Sequence, residues 1–234
     1  MLLMAATTVH VAWLGESYCE RTRPTPRKYQ MTAVPKLTTA ELRLLQDPSG
    51  MRGSTYGEIT PSGLRALMAS CELAPCDSFI DLGSGKGSCV LQAARDFHVR
   101  RSCGVELAPS RHRLAVAALA AADADVQART RFIEGDVGEP SVASELEEDS
   151  TVVWLSNLLF DEPLMRRIGL LLEGAPSVRC VAALRPFTGG LDGFVADELP
   201  VHCEMSWTER SGTDHPCVVY RRVTHGWWMG RRAR

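Results

Sequence analysis

The chain has 234 residues, 45% of them hydrophobic and 23% charged, with a formal net charge of −2. That length gives one domain with a substantial core, and a near-neutral balance excludes a whole-protein field that would draw it to nucleic acid. Eight cysteines without C-x-x-C spacing give a zinc cluster no support; those inside apolar runs read as small buried hydrophobes of a reducing compartment, cytosol or nucleus.

Residues 1–50 read as an N-terminal arm with one short helix. Met1 to Leu14 lacks the basic flank of a signal peptide and is too short and polar to span a bilayer, so no membrane is expected. Arg21 to Lys28 places four basic residues among two prolines, an extended segment that either touches phosphate or is simply solvated. Thr38 and Thr39 ahead of Leu42, Leu44 and Leu45 predict a capped helix ending near Pro48. Residues 51–223 form the domain proper. Tyr56, Gly57 and Glu58 lead into a periodic helix (Leu64, Leu67, Met68, Leu73), and a loop in that place lies over a ligand as a lid.

The stretch that organises the chain is Ser78 to Ser88. An apolar run (Phe79, Ile80, Leu82) ends at Gly83, Gly85 and Gly87, and a helical pattern follows through Val90, Leu91, Ala93, Ala94 and Phe97. Strand, glycine turn and helix open a βαβ unit and bring a ligand to a helix N-terminus. Nineteen residues beyond Gly87, a second strand ends in Glu106, placed to accept from a ribose hydroxyl pair. Lys86 is followed by Gly87, which fails the P-loop pattern, and G-x-G-x-G is not the dinucleotide G-x-G-x-x-G. Asp81 just before the turn would repel a pyrophosphate but suits a ligand carrying an ammonium beside a sulfonium. S-adenosylmethionine has both and no phosphate. The alternative is that the glycines and Asp81 only shape a turn.

Beyond Glu106, Pro109 starts a long alanine-rich helix, Arg111 to Ala128, and Arg131 to Asp136 is a third strand. Asp136 accepts from an adenine amino group with Val137 beside the ring, or it is a helix N-cap; both readings stand. Thr151 to Ser156 is a continuous apolar strand that runs into Asn157–Phe160, a helix from Asp161 to Leu172, and a fifth strand, Val178 to Leu184. Strands at Val201 to Trp207 and Cys217 to Val223, joined by a turn around Gly212, add an antiparallel pair at the sheet edge. This alternation predicts an open α/β sheet with ligands at the carboxyl ends of its strands. Arg221, Arg222, Arg231, Arg232 and Arg234, with no acid among them, make a basic patch that runs into a tail at 224–234.

In this order the pieces resemble the Dot-one (disruptor of telomeric silencing) family of histone H3 lysine methyltransferases, over about Leu37 to Val223. The resemblance rests on Tyr56-Gly-Glu58, Phe79 to Gly87, Gly104 to Glu106, Gly135-Asp136, Asn157 with Phe160, Arg185 to Phe187, and Ser206 to Thr208. It implies a seven-stranded Rossmann-like class I methyltransferase sheet, helices on both faces, with an antiparallel C-terminal hairpin. It further implies S-adenosylmethionine as cofactor, S-adenosylhomocysteine as product, and as substrate a lysine on the globular face of histone H3 in the nucleosome, hence the nucleus. By motif match, Tyr56, Gly57, Glu58, Ile59, the loop Phe79, Ile80, Asp81, Leu82, Gly83, Ser84, Gly85, Lys86, Gly87, Ser88, then Glu106, Asp136 and Val137 hold the cofactor. Phe160, Trp207 and Tyr220 line the lysine channel, and Asn157 or the hydroxyls of Ser156 and Tyr220 orient the amine. Core packing is the competing reading for Phe160 and Trp207.

The five C-terminal arginines are expected to engage DNA phosphate or an acidic histone surface. Rival readings are a methyltransferase of the same fold acting on RNA or another substrate, and a chromatin-binding module without turnover.

Overall fold

The computed structural model describes residues 34, 36–45, 56–147, 151–208 and 213–223. The basic segment 21–28, the turn at Gly212 and the tail with Arg231, Arg232 and Arg234 lie outside them.

Helix α1 (Thr39–Leu44) has a reciprocal cap. The Thr38 hydroxyl accepts from the Glu41 amide at 3.2 Å, while the Glu41 carboxylate accepts from the Thr38 amide at 2.8 Å. Helix α2 (Pro61–Ser70) starts at Thr60, whose hydroxyl accepts from Gly63. Then come β1 (Ser78–Leu82), α3 (Ser88–Asp96) and β2 (Arg101–Glu106). The predicted long helix after β2 is two: α4 (Pro109–Ala120) and α5 (Ala124–Arg129). Gln127 closes the first by donating its amide to the Ala120 and Ala122 carbonyls, which turns the chain back toward the sheet. Strand β3 (Thr130–Glu134) precedes a 3₁₀ turn, α6 (Ala143–Leu146), β4 (Thr151–Leu155), α7 (Glu162–Gly174) and β5 (Val178–Ala183). Three strands finish the chain: β6 (Phe194–Ala196), β7 (Val201–Cys203) and β8 (His215–Arg222).

The strands form one eight-stranded sheet in the order β3-β2-β1-β4-β5-β8-β6, with β7 also on β8. The first five are parallel and β8 is antiparallel to β5. The central strands β1 and β4 are buried along their whole length because both faces are covered, whereas β3 at the edge is partly exposed, and alternate residues serve opposite layers. Phe79, Val152, Trp154, Cys180 and Ala182 pack under α2 and α3. Ile80, Leu82, Val153, Leu155, Val181 and Ala183 pack with Ile168 and Leu172 of α7. The expected antiparallel pair exists, as Val201 opposite Cys217, but β8 is not the edge. It lies between β5 and the short strand β6, an element the sequence reading missed.

Two members of the basic patch are thereby absorbed into the fold. Arg221 pairs with Asp197 at 3.0 Å and donates to the Ser70 carbonyl. Arg222 donates to the carbonyls of Leu172, Ala175 and Val178 and lies over the Phe194 ring, which satisfies the unpaired end of α7. Neither side chain is the free phosphate contact that the sequence suggested. Among the described residues, no helix is long and apolar enough to cross a membrane, and no group of three or more His, Cys, Asp or Glu is placed to hold a metal ion.

Candidate active site

Strand order reverses between β1 and β4, and in an open α/β sheet the crevice at such a point receives ligands. A cavity of about 440 Å³ opens there, within the usual range for small-molecule sites. Its wall comes from the segments after β1 (Gly83, Ser84, Gly85, Ser88, Cys89), β2 (Glu106, Leu107), β3 (Asp136, Val137) and β4 (Ser156, Leu158, Leu159, Phe160). Tyr56 to Ile59 and Trp207 add to it.

The glycine turn is fitted to its neighbours at close range. Gly85 has φ +56, and a Cβ there would land on the Tyr56 hydroxyl. Gly83 has φ +100, and its Cβ would stand 3.0 Å from the Phe160 ring. These conformations strain any residue with a side chain, and the close approaches leave it little room. The Gly85 amide donates to Glu106 Oε2 at 2.8 Å, and Glu106 Oε1 accepts from the Ala108 amide at 2.8 Å. The acid that ends β2 is thus fixed against the turn, with lone pairs remaining for hydroxyls of a ligand.

Asp81, at the end of β1, is buried, and its Oδ1 has no hydrogen-bond partner among the described residues. Burial first, then the nearby Glu106 and Glu58 carboxylates, push its pKa well above the usual range. A buried carboxyl that keeps one oxygen unpartnered beside the Cys89 thiol, and that lines a cavity, is a seat for a cation. The Ser84 hydroxyl, also buried, lacks a partner too.

Tyr56, Gly57 and Glu58 do lie over the turn. The Tyr56 hydroxyl donates to Glu58 Oε1 at 3.0 Å and accepts from the Lys86 amide at 3.2 Å. Burial, with the Glu58 charge second, raises the Tyr56 pKa, so it remains a donor. The Arg111 guanidinium covers the ring at 4.9 Å. Glu58 bonds through its backbone to Ser206, and Ile59 bridges to Met205. This brings Trp207, 36% exposed, across Gly57 at the mouth.

Several sequence-stated roles change. Phe79, Ile80 and Leu82 are core residues of β1 and do not line the cavity. Gly87 is required by packing: a Cβ would enter the Phe132 ring and stand 3.1 Å from Ala115. Lys86 pairs with Glu58 at 3.1 Å. Asn157 is fully buried, its amide donating to the Arg185 carbonyl and accepting from the Arg185 N–H, each at 2.8 Å. With Met165 sulfur also in contact, it joins the ends of β4 and β5 and does not line the cavity. Tyr220 is core as well, packed edge-on to Phe187 and accepting from its amide at 3.0 Å.

Of the proposed channel residues, Ser156, Phe160 and Trp207 line the cavity, as do Ile59, Ser88, Asp136 and Val137. Asp136 accepts from Gly138 and pairs with Arg167 at 3.2 Å. Sequence reading missed Leu44, Leu45, Cys89, Leu107, Arg111, Trp154, Leu158, Leu159, Leu164 and Arg167 of the lining. The capping box held a signal for the first two. Glu41 also accepts from the Ser110 amide at 2.7 Å and so swings α1 over the cavity. Burial would raise its pKa, but the bonds from Ser110 and Thr38 outweigh this and hold it at about 2.

Residues 38–189, most of the chain, match the family described as histone methylation protein DOT1. The chain belongs to the DOT1 family. It is 25% identical to a histone-lysine N-methyltransferase, H3 lysine-79 specific, of Eremothecium gossypii, over 92% of this chain and 42% of that protein. A Caenorhabditis elegans protein of the same description is 30% identical over 53% of this chain and 14% of its own length. The chain therefore spans less than half of these DOT1 relatives. The methyltransferase domain of bacterial CtHen1-C superposes with a TM-score of 0.54 at 12% identity, covering 70% of this chain and 98% of that one. The fold is that of class I methyltransferases. The DOT1 match runs from the capping residue of α1 to just past β5, and so takes in the lid, glycine turn, Glu106, Asp136 and Phe160.

Proposed function

We propose that this chain is a histone H3 lysine N-methyltransferase that uses S-adenosylmethionine and acts on the globular face of H3 in the nucleosome, at the lysine-79 for which its relatives are named. The observation that carries the cofactor is the partnerless Oδ1 of buried Asp81 behind the glycine turn. Asp81 would hold the cofactor's ammonium, Glu106 its ribose hydroxyls, and Asp136 with Val137 its adenine. When bound, the cofactor supplies an electrophilic methyl group on sulfonium.

The chain's own residues do the rest. A free lysine titrates near 10.4, so presenting it neutral at pH 7 costs about 4–5 kcal/mol. Phe160 and the half-open Trp207 give the cavity mouth apolar walls that disfavour the charged amine by desolvation. The Ser156 hydroxyl, at the cavity wall, is the candidate to orient that amine. Alignment supplies the acceleration, and Trp207 is held to the lid through Ser206 so that closing and channel formation are one event.

Nuclear chromatin is the implied place of action. The basic-tail contact narrows to Arg231, Arg232 and Arg234, proposed to meet DNA phosphate or an acidic histone surface. Incubation with nucleosomes and the cofactor, followed by mass spectrometry of H3, is expected to show methylation on the globular face. Transfer to free H3 tails with none to nucleosomes would refute the assignment.

A further inference from the structure

The cavity is lined by Asp81, Glu58 and Glu106, and a largely covered cation already pairs with one of them. Lys86 Nζ lies 3.1 Å from Glu58 Oε2, with the two side chains only 11% and 7% exposed. The other Glu58 oxygen accepts from the Tyr56 and Ser88 hydroxyls, each at 3.0 Å. Buried ion pairs are costly to assemble and strongly felt nearby, because the local dielectric is low. A mere lid fastener would need no charge, since the Tyr56 hydroxyl and Ser206 already bind the lid to the turn and to the Trp207 segment.

We infer that Lys86 is a specificity-determining residue: by neutralising Glu58 it sets the charge of the seat, and so how well the site separates the sulfonium cofactor from its neutral-sulfur product. This rests on the cofactor reading above. S-adenosylmethionine and S-adenosylhomocysteine differ in the binding site by one methyl group and one positive charge. A seat with Glu58 uncompensated favours the cation. Lys86 removes that bias, retains the product more firmly, and makes the protein responsive to the ratio of the two ligands.

The test is the ratio of dissociation constants for the two ligands, measured by equilibrium titration without turnover. Lys86→Gln should shift the ratio about tenfold toward S-adenosylmethionine, and Glu58→Gln should shift it the opposite way. Lys86→Arg, which keeps the charge, should leave the ratio as in the wild type. Equal weakening of both ligands, with the ratio fixed, would show that the pair only fastens the lid and would overturn the inference. Should Glu58→Gln unfold, Lys86→Gln against Lys86→Arg still decides. Binding of neither ligand by the wild-type protein would instead bring down the cofactor reading on which this depends.

Discussion

Gly85→Val should abolish S-adenosylmethionine binding, weakening it by at least about 100-fold, or roughly 2.7 kcal/mol. Two independent costs converge at this residue. Its φ of +56 is a left-handed conformation that a β-branched side chain does not tolerate, at about 1–2 kcal/mol. A Cβ would also displace the Tyr56 hydroxyl, and with it the bonds to Glu58 and the Lys86 amide. The Gly85 amide holds Glu106 at 2.8 Å, so a shifted turn also unseats the proposed ribose acceptor. Gly174→Ala, at the end of α7 where nothing lies within 4 Å of a new Cβ, is the control and should leave affinity unchanged within twofold. Titration of both variants decides; near-wild-type binding by Gly85→Val would remove the turn from the site.

Asp81→Asn is expected to move stability and binding in opposite directions. The carboxyl has its pKa raised by burial and then by Glu106 and Glu58, from an ordinary 3.8. A raised folded-state pKa means that Asp81 costs least stability below about 3.8, and that stability declines as pH climbs through the higher folded value. The asparagine variant has no such decline, so without cofactor it should melt higher than the wild type at alkaline pH. A bound cation favours the ionised carboxylate. Affinity of the wild type should therefore fall as pH drops below the folded pKa, with a proton released on binding. Asp81→Asn should bind about 100-fold more weakly, or roughly 2.7 kcal/mol, and lose that pH dependence. Unchanged affinity together with unchanged stability would mean that the carboxyl faces no ligand.

The glycine turn, Glu106 and the lid were legible because each shows as a short local pattern, even though the bonds that fix Glu106 and the lid reach across 21 to 148 residues. The parallel strands showed as apolar runs for the same reason. What the sequence concealed depends on partners far away. Asn157 looks like an acceptor guide until the Arg185 backbone, 28 residues on, is seen to consume its amide. Tyr220 looks like a channel residue until Phe187, 33 residues back, claims its hydroxyl. Arg222 reads as a surface charge, yet the open end of α7 turns it into a cap. The break between α4 and α5 escaped notice because alanine-rich propensity runs through it, and the Gln127 side chain that caps the first helix lies beyond it in the chain. Strand β6 was missed since three residues carry no period.

Every role proposed for the site requires that the crevice behind the glycine turn receive a sulfonium-bearing nucleoside. Calorimetric titration of the wild-type protein with S-adenosylmethionine, and separately with NAD, reads it directly. S-adenosylmethionine should bind at one site, with proton release at pH below the raised Asp81 pKa, while NAD gives no heat; saturable binding of NAD, or none of S-adenosylmethionine, would contradict it.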